Sequence, residues 1–465
     1  MTNQPSPNKF TLKNFLGRNA LLTGTLLLTA AGVLTRVIGF FYKIFLSRTI
    51  GAEGLGIYQL LTPVLALAFA VTSAGIQTSI SKYVSMEIGR HRPVDARNYL
   101  FAGLSVSLFL SALVGLFVWR EADFIAAAWL GDARCAPLLS VLALSFLPSS
   151  IHSCINGYYY GLKKTAVPSV TQLFEQMARV ACVYVLYQIY QSKQMPLPFT
   201  AMVWGIVAGE CASMLICLSV IQLPKSSSQT QGQRPRSALV FGKSASALRC
   251  YYRNLMQMAL PLTFNRVILN LFSSVENIMI PNRLRMFGYS NSEALGVYGI
   301  LTGMSMSVIM LPSVLVNSVS VLLLPTISES QATGNMAHIR KTVRRTIFSC
   351  LLFGFFCSAG FLFTGKWIGN LLFSNSLSGT FIITLGWICP FLYLSATLNS
   401  ILHGLGHPGV TFMLSLMACG IRIAFVLFAV PVYGIRSYLI GLLASQIVTS
   451  LLTVAILYRM LGKER

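Results

Sequence analysis

Acidic residues are scarce in this chain. Its 465 residues hold only 12 Asp+Glu against 35 Lys+Arg, and all charged residues together make up 10%. A soluble domain carries about 25% charged residues, so an ordinary soluble enzyme of this length is excluded. Long polar stretches are missing as well. The largest, 223–253, is too short for a catalytic domain of its own. The ten cysteines form no close-spaced pairs, which removes a disulfide framework and the usual zinc spacings. They read as small apolar filler.

What remains is apolar: 55% of the residues are hydrophobic. Runs of about 20 apolar residues, the length needed to cross a hydrocarbon core of about 30 Å, recur from end to end. Twelve spans are expected, at 21–46, 56–81, 99–118, 136–160, 167–189, 199–222, 254–280, 296–324, 346–365, 379–402, 410–430 and 438–458. Continuous runs of this kind are not the short alternating strands of a barrel, so the fold class is an all-α polytopic membrane protein. The first run contains Arg36 and Lys43 and is too long for a signal-peptide core, so it is expected to be retained.

The net charge of +23 has a topological explanation. With residues 1–20 placed in the cytoplasm, most Lys and Arg fall on that side, including Lys82, Arg90, Arg92, Arg97, Arg340, Lys341, Arg344, Arg345 and Arg459. Few fall outside, among them Arg48, Arg120, Arg134, Arg283 and Arg285. The positive-inside rule then puts both termini in the cytoplasm of a bacterial cell membrane, and no nucleic-acid partner is needed to explain the charge.

The chain also repeats itself. Leu55-Gly56-Ile57-Tyr58 with Leu61-Thr62 returns as Leu295-Gly296-Val297-Tyr298 with Leu301-Thr302, and Asn156 with Gly161-Leu162 returns as Asn399 with Gly404-Leu405. An even six spans per repeat makes the two parallel, with a substrate site expected between them. The expected divisions are 21–222 and 254–458 for the two six-helix halves, 223–253 for a basic cytoplasmic linker and 459–465 for a tail. The linker's later part, with Lys243, Arg249 and Arg253, is expected to lie along the inner leaflet as an interfacial helix.

Charges inside the spans are costly, about 2.5–3.5 kcal/mol each on the insertion scale. Arg36 answers Arg266 at the first helix of each half, and Arg179 answers Arg422. With Lys43 these are the candidate substrate-binding residues, and they point to an anionic substrate such as a phosphate or pyrophosphate head group. Arg36 and Lys43, seven apart, share a helix face, and Glu175 and Arg179, four apart, are placed to pair. Glu175, Glu210 and Glu276 are the candidate groups for proton or sodium coupling. No metal site or cofactor is expected: His403 and His407 lie in a Gly- and Pro-rich turn without a third ligand, and Gly242-Lys243-Ser244 lacks the first glycine and the preceding strand of a phosphate loop. Pro63, Pro148, Pro261, Pro312, Pro325 and Pro390 fall in or beside spans and are expected to kink them.

The run TRVIGFFYKIFLSRTIGAEGLGIYQL at 35–60, with SAGIQTSISKYV at 73–84, resembles the stage V sporulation protein B group of polysaccharide transporters. That group belongs to the multidrug/oligosaccharidyl-lipid/polysaccharide exporter superfamily, which includes lipid II flippases and multidrug-and-toxin extruders. The resemblance implies a V-shaped pair of six-helix lobes that work by alternating access, and it sets Arg36 against a lipid-linked diphosphate. Where flippases often carry a second arginine six residues on, this chain has Tyr42 and then Lys43. The two additional C-terminal helices of lipid II flippases have no counterpart among the twelve spans.

The expected function is therefore export of an isoprenoid-diphosphate-linked saccharide, for peptidoglycan such as spore cortex, by a monomer among membrane lipids. A drug/cation antiporter of the same fold would want a carboxylate-rich cavity instead. A membrane glycosyltransferase would have to build its site from Glu121, Asp123 and Asp132 in a short external loop, which gives little to shape one.

Overall fold

The computed structural model describes residues 20–221 and 245–463. Within them the chain is helix joined by short turns, with no strand. Helix α1, Ala20–Phe69, is 50 residues long and breaks at Gly51, whose φ of 72° is open to glycine at little cost. It runs on through a wider turn into α2, Gly75–Gly89, and α3, Pro93–Arg120, follows. Next come α4, Ala136–Ala143, α5, Phe146–Gly161, α6, Ala166–Ser192, and α7, Thr200–Val220. In the second half α8 is Ala245–Phe287, and α9, Asn291–Gly299, continues through further turns to Ile309. The remainder are α10, Ser313–Ala332, α11, Met336–Phe373, α12, Ser376–Gly386, α13, Cys389–Gly404, α14, Pro408–Ala424, and α15, Ile435–Lys463.

Among the described residues seven stretches are long and apolar enough to cross a membrane, and the number rises to ten if three bent pairs each count once. One of the seven, Leu27–Gly89, has 63 residues and contains the Gly51 break. At 1.5 Å per residue it is about three times the hydrocarbon thickness. The bends are 48° between α4 and α5, 58° between α9 and α10, and 56° between α12 and α13. Each lies just before a proline, at Pro148, Pro312 and Pro390. Proline is tolerated in a first turn but not as the continuation of a preceding helix, so these residues set where the second helix of each pair begins. Pro63, Pro261 and Pro281 instead sit within helices.

The expected linker falls mostly at 222–244, outside the described residues, as do residues 1–19 and the end of the tail. Residues 245–253 differ from expectation: they form the first turns of the 43-residue α8 rather than a separate interfacial helix. Tyr251 donates to Asp95 of α3 at 2.5 Å, and Tyr83 of α2 donates to the Asn254 carbonyl at 2.9 Å. Those bonds hold the start of α8 against the first half and keep it in line.

Three buried cores organise the helices. One joins both halves, with Leu46, Leu60, Leu138, Tyr298, Ile382 and Tyr393 among its members. At the opposite helix ends the core divides. Ile80, Tyr99, Ile155 and Leu255 pack in one cluster, and Ile327, Val343, Leu398 and Leu457 in another. Lipid gives little hydrophobic drive for helix association, so close packing and small polar residues matter more. Buried Ser73, Ser107, Ser111 and Ser150 accordingly bond between α3, α5 and the turn before α2, and Ser305 bonds to Ser378.

Candidate functional site

A cavity of about 490 Å³ lies between the two halves. From α1 it receives Arg36, Tyr42 and Lys43, from α6 Gln176 and Arg179, and from the second half Ser307, Asn317 and Tyr393. Three of the lining residues are cationic and none is a carboxylate. The helical period explains the α1 contribution, because residues seven apart return to the same face. Lys43 Nζ donates to Ser307 Oγ at 3.0 Å and so links the halves through a neutral partner. Among the described residues neither Arg36 nor Lys43 has a carboxylate within ion-pair distance. The Tyr42 hydroxyl is buried at the cavity wall without a hydrogen-bond partner, and so is Arg179 Nε. The site thus offers positive charge and free donors, which suits an anion with several oxygens.

Behind this wall is a smaller polar cavity of about 270 Å³, enclosed by the first half. Arg179 Nη2 donates to Glu175 Oε1 at 2.8 Å, one helical turn earlier. His152 Nε2 and Glu210 Oε2 lie 2.7 Å apart. One ligand-type atom from each of His152, Glu175 and Glu210 falls within 4.8 Å of the others. One carboxylate is already held by a guanidinium and the other by an imidazole, so the cluster reads as a hydrogen-bonded charge group rather than an open ligand set.

The second half has a matching cavity of about 280 Å³. There Arg422 Nε donates to Glu276 Oε1 at 2.7 Å, and the Tyr438 hydroxyl donates to the same oxygen at 2.9 Å. Arg422 also reaches Cys419 Sγ at 3.2 Å. Here one cation meets one carboxylate and the group is neutral. Arg266 stands apart, exposed on α8, with Nη2 3.4 Å from Thr78 Oγ1 of α2.

A further cavity, about 540 Å³, is a groove between α10 and α11 lined by Leu315, Val319 and Phe353 together with Thr342, Arg345, Thr346 and Ser349. Its lining holds a single cation among neutral side chains, where the cavity between the halves has three cations.

At the end where the core is shared, a polar network closes the halves together. Arg134 bonds Asp132 at 2.8 Å and Glu53 at 2.8 Å, and Asn291 of the second half donates to Asp132 at 3.1 Å. Burial pushes the Asp132 carboxyl up, but the hydrogen bonds from Arg134 outweigh it and hold it below the usual range. Glu53 is held low by hydrogen bonds from Ser292 and Arg134.

Residues 21–331 match the family described as polysaccharide biosynthesis protein. The chain belongs to that family. It is 26% identical over 449 residues to stage V sporulation protein B of Bacillus subtilis, covering 96% of this chain and 85% of that relative. It is 21% identical over 341 residues to the lipid II flippase MurJ of the same organism, covering 70% and 61%. Its fold is similar to that of a multidrug resistance MATE family transporter of the MOP superfamily in an inward-facing conformation, with a TM-score of 0.72, 13% identity and coverage of 92% and 95%. Its several stretches long and apolar enough to cross a membrane make it a multi-pass membrane protein of this family.

Of the residues expected at the site, the structure brings Arg36, Lys43 and Arg179 to one cavity. It does not bring Arg266 or Arg422 there. Glu175 and Glu210 share a cluster, whereas Glu276 is paired with Arg422 in the other half. Gln176 carries no signal in the sequence, because a glutamine in an apolar run has no distinctive spacing, and Tyr42 stood out only as the residue where flippases often carry a second arginine. His152 did have a signal: a lone imidazole within an apolar run, whose only explanation is a partner on another helix.

Proposed function

We propose that this protein is a flippase for an isoprenoid-diphosphate-linked saccharide of the lipid II type, working by alternating access. The observation that carries the reading is the cavity between the halves, with Arg36, Lys43 and Arg179 in its wall and no carboxylate. Such a cavity favours a diphosphate and repels the cations that a drug antiporter would export. The names of its relatives, a lipid II flippase and a sporulation protein, support the substrate class and a role in spore peptidoglycan.

The reading takes the chain as twelve spans in two parallel six-helix halves, 21–222 and 254–458. In support, the Gly51 break divides the 63-residue stretch into two crossings and each bent pair makes one. The 27-residue α6, whose Glu175, Gln176 and Arg179 lower its hydropathy, adds another. The divided cores lie at the ends rich in Lys and Arg, such as Lys82, Arg90, Arg340 and Arg344. The positive-inside rule then makes that end cytoplasmic and gives a V-shaped cleft open inward, with both termini inside.

The reading is tested by native mass spectrometry of the purified protein. A co-purifying polyprenyl-diphosphate saccharide is expected, lost when Arg36→Ala and Lys43→Ala are combined and kept in Arg266→Ala. Retention of the lipid by the double variant would overturn the reading.

A further inference from the structure

The two halves treat their matching arginines differently. In the second half Arg422 and Glu276 make a closed neutral pair, with Tyr438 as a second donor to the carboxylate. In the first half one arginine faces two carboxylates and an imidazole. Arg179 donates to Glu175, while among the described residues His152 is the hydrogen-bond partner of Glu210. With His152 neutral, this buried group carries one net negative charge. The same Arg179 is also part of the wall of the cation-rich cavity, where its Nε has no partner. Glu175 lines the polar cavity on the other side of that wall.

We propose that Arg179 is shared between two competing partners, the diphosphate in the central cavity and the Glu175 carboxylate, and that the His152–Glu210–Glu175 cluster takes up one proton when the diphosphate claims Arg179. This rests on the anion-binding reading of the cavity and adds the means by which an ion is coupled to it. In the exchange, the Arg179–Glu175 hydrogen bond breaks and an Arg179–phosphate oxygen bond forms. Two carboxylates then remain close together in a buried site without a cation, an arrangement that strongly favours one bound proton. A proton from water adds to His152 Nδ1, which is buried and makes no hydrogen bond, while Nε2 keeps its bond to Glu210. The imidazolium so formed takes the place of the departed guanidinium. A proton fits better than sodium, because a hard cation asks for several oxygen ligands and this cluster offers an imidazole already engaged with Glu210.

The groups that face the cluster are Glu210 and the Cys211 thiol on α7, Glu175 and Arg179 on α6, and Tyr42 and Tyr58 of α1 beyond Arg179. None is a second buried cation, so among the described residues no other group supplies the missing charge. Glu276, the remaining carboxylate expected to couple an ion, is committed to Arg422 and stays outside this exchange.

Titration calorimetry of the full chain in nanodiscs tests this, with farnesyl diphosphate as probe and buffers of different ionisation heat at one pH. Wild type is expected to take up one more proton per bound probe than Glu175→Gln. The Glu175→Gln variant, whose Arg179 is free from the start, is expected to bind the probe roughly tenfold tighter. His152→Gln is expected to lose the extra proton while retaining binding. Equal proton uptake in wild type and both variants, or an uptake replaced by dependence on sodium when choline is exchanged for it, overturns the proposal. A wild-type protein that does not bind farnesyl diphosphate at all removes the anion-cavity reading itself, a result distinct from binding without the proton.

Discussion

Gly56 of α1 and Gly299 of α9 cross backbone to backbone: a Cβ built on Gly299 would lie 2.6 Å from the Gly56 nitrogen. Ala52 and Leu295 carbonyls crowd the same point. Only a residue without a side chain allows such an approach, and the contact fastens the two halves at the end where they share a core. Gly299→Val is therefore expected to push the outer seam apart and favour the outward-open form. Double electron–electron resonance between spin labels on the outer ends of α3 and α11 should show a longer distance, and thermal unfolding should come at lower temperature, consistent with overpacking of about 1–3 kcal/mol. An unchanged distance distribution would refute the seam.

The polar network around Arg134 gives a second handle on the same end. Asp132 and Glu53 both have carboxyl pKa values held below their ordinary ones. Groups lowered on folding contribute stability that is fully present above their unfolded pKa values, about 3.9 for Asp and 4.3 for Glu, and is lost as pH falls through the lowered folded values. The outer contact should hold at neutral pH and weaken progressively below about pH 4. Double electron–electron resonance between the same labels, on samples frozen at each pH, is expected to show wild type closed at pH 6 and more open near pH 3. Asp132→Asn should flatten that dependence; an identical profile in the variant would count against the network.

Much of this architecture was legible from the sequence because bilayer thickness imposes a single length on apolar runs. The runs at 99–118 and 199–222 fall on α3 and α7 with ends shifted by only a few residues, since little but hydrocarbon decides where they stop. The sites were less legible. Glu175 and Arg179 could be paired from helical period alone, and they do pair. Arg422 could not be assigned, because its carboxylate lies on α8, 146 residues earlier, and only packing brings α14 against α8. Arg36 and Arg266 occupy matching sequence positions and both are exposed, yet their surroundings differ: Arg36 lines the cavity between the halves, while the first turns of α8 are tied to α2 and α3 and Arg266 lies near Thr78. A repeat predicts where a residue sits on its helix, not whether both copies keep the same neighbours.

The Arg422–Glu276 pair should behave as structure rather than as substrate contact. Both side chains are largely buried, with 14% and 7% of their surface exposed. Removing one partner strands the other charge, a loss of about 3–5 kcal/mol in buried pairs. Glu276→Ala is expected to lower the melting temperature markedly in nanodiscs. Glu276→Ala with Arg422→Met should recover much of the loss, and the double variant should bind farnesyl diphosphate as wild type does. A double variant that is stable but unable to bind would transfer this pair to the substrate site.

The cations of the central cavity are expected to divide the binding energy unequally. Among the described residues Arg36 has no carboxylate within ion-pair distance, so a diphosphate gains the bonds of its planar fork without first breaking an ion pair. Lys43 must give up its bond to Ser307, a neutral partner, and Arg179 must give up Glu175. Bonds to charged groups contribute about 1.5–3 kcal/mol each, so Arg36→Ala should weaken farnesyl diphosphate binding by roughly 10- to 100-fold. Lys43→Ala should cost less, because the freed Ser307 hydroxyl remains as a donor. Arg36→Lys should recover only part of the loss, since an ammonium keeps the charge but not the planar fork. Arg266→Ala, outside the cavity, should bind within twofold of wild type. If Arg266→Ala were as damaging as Arg36→Ala, the head group would have to lie along α8 between the matching arginines, and the cavity beside α6 would no longer be the site.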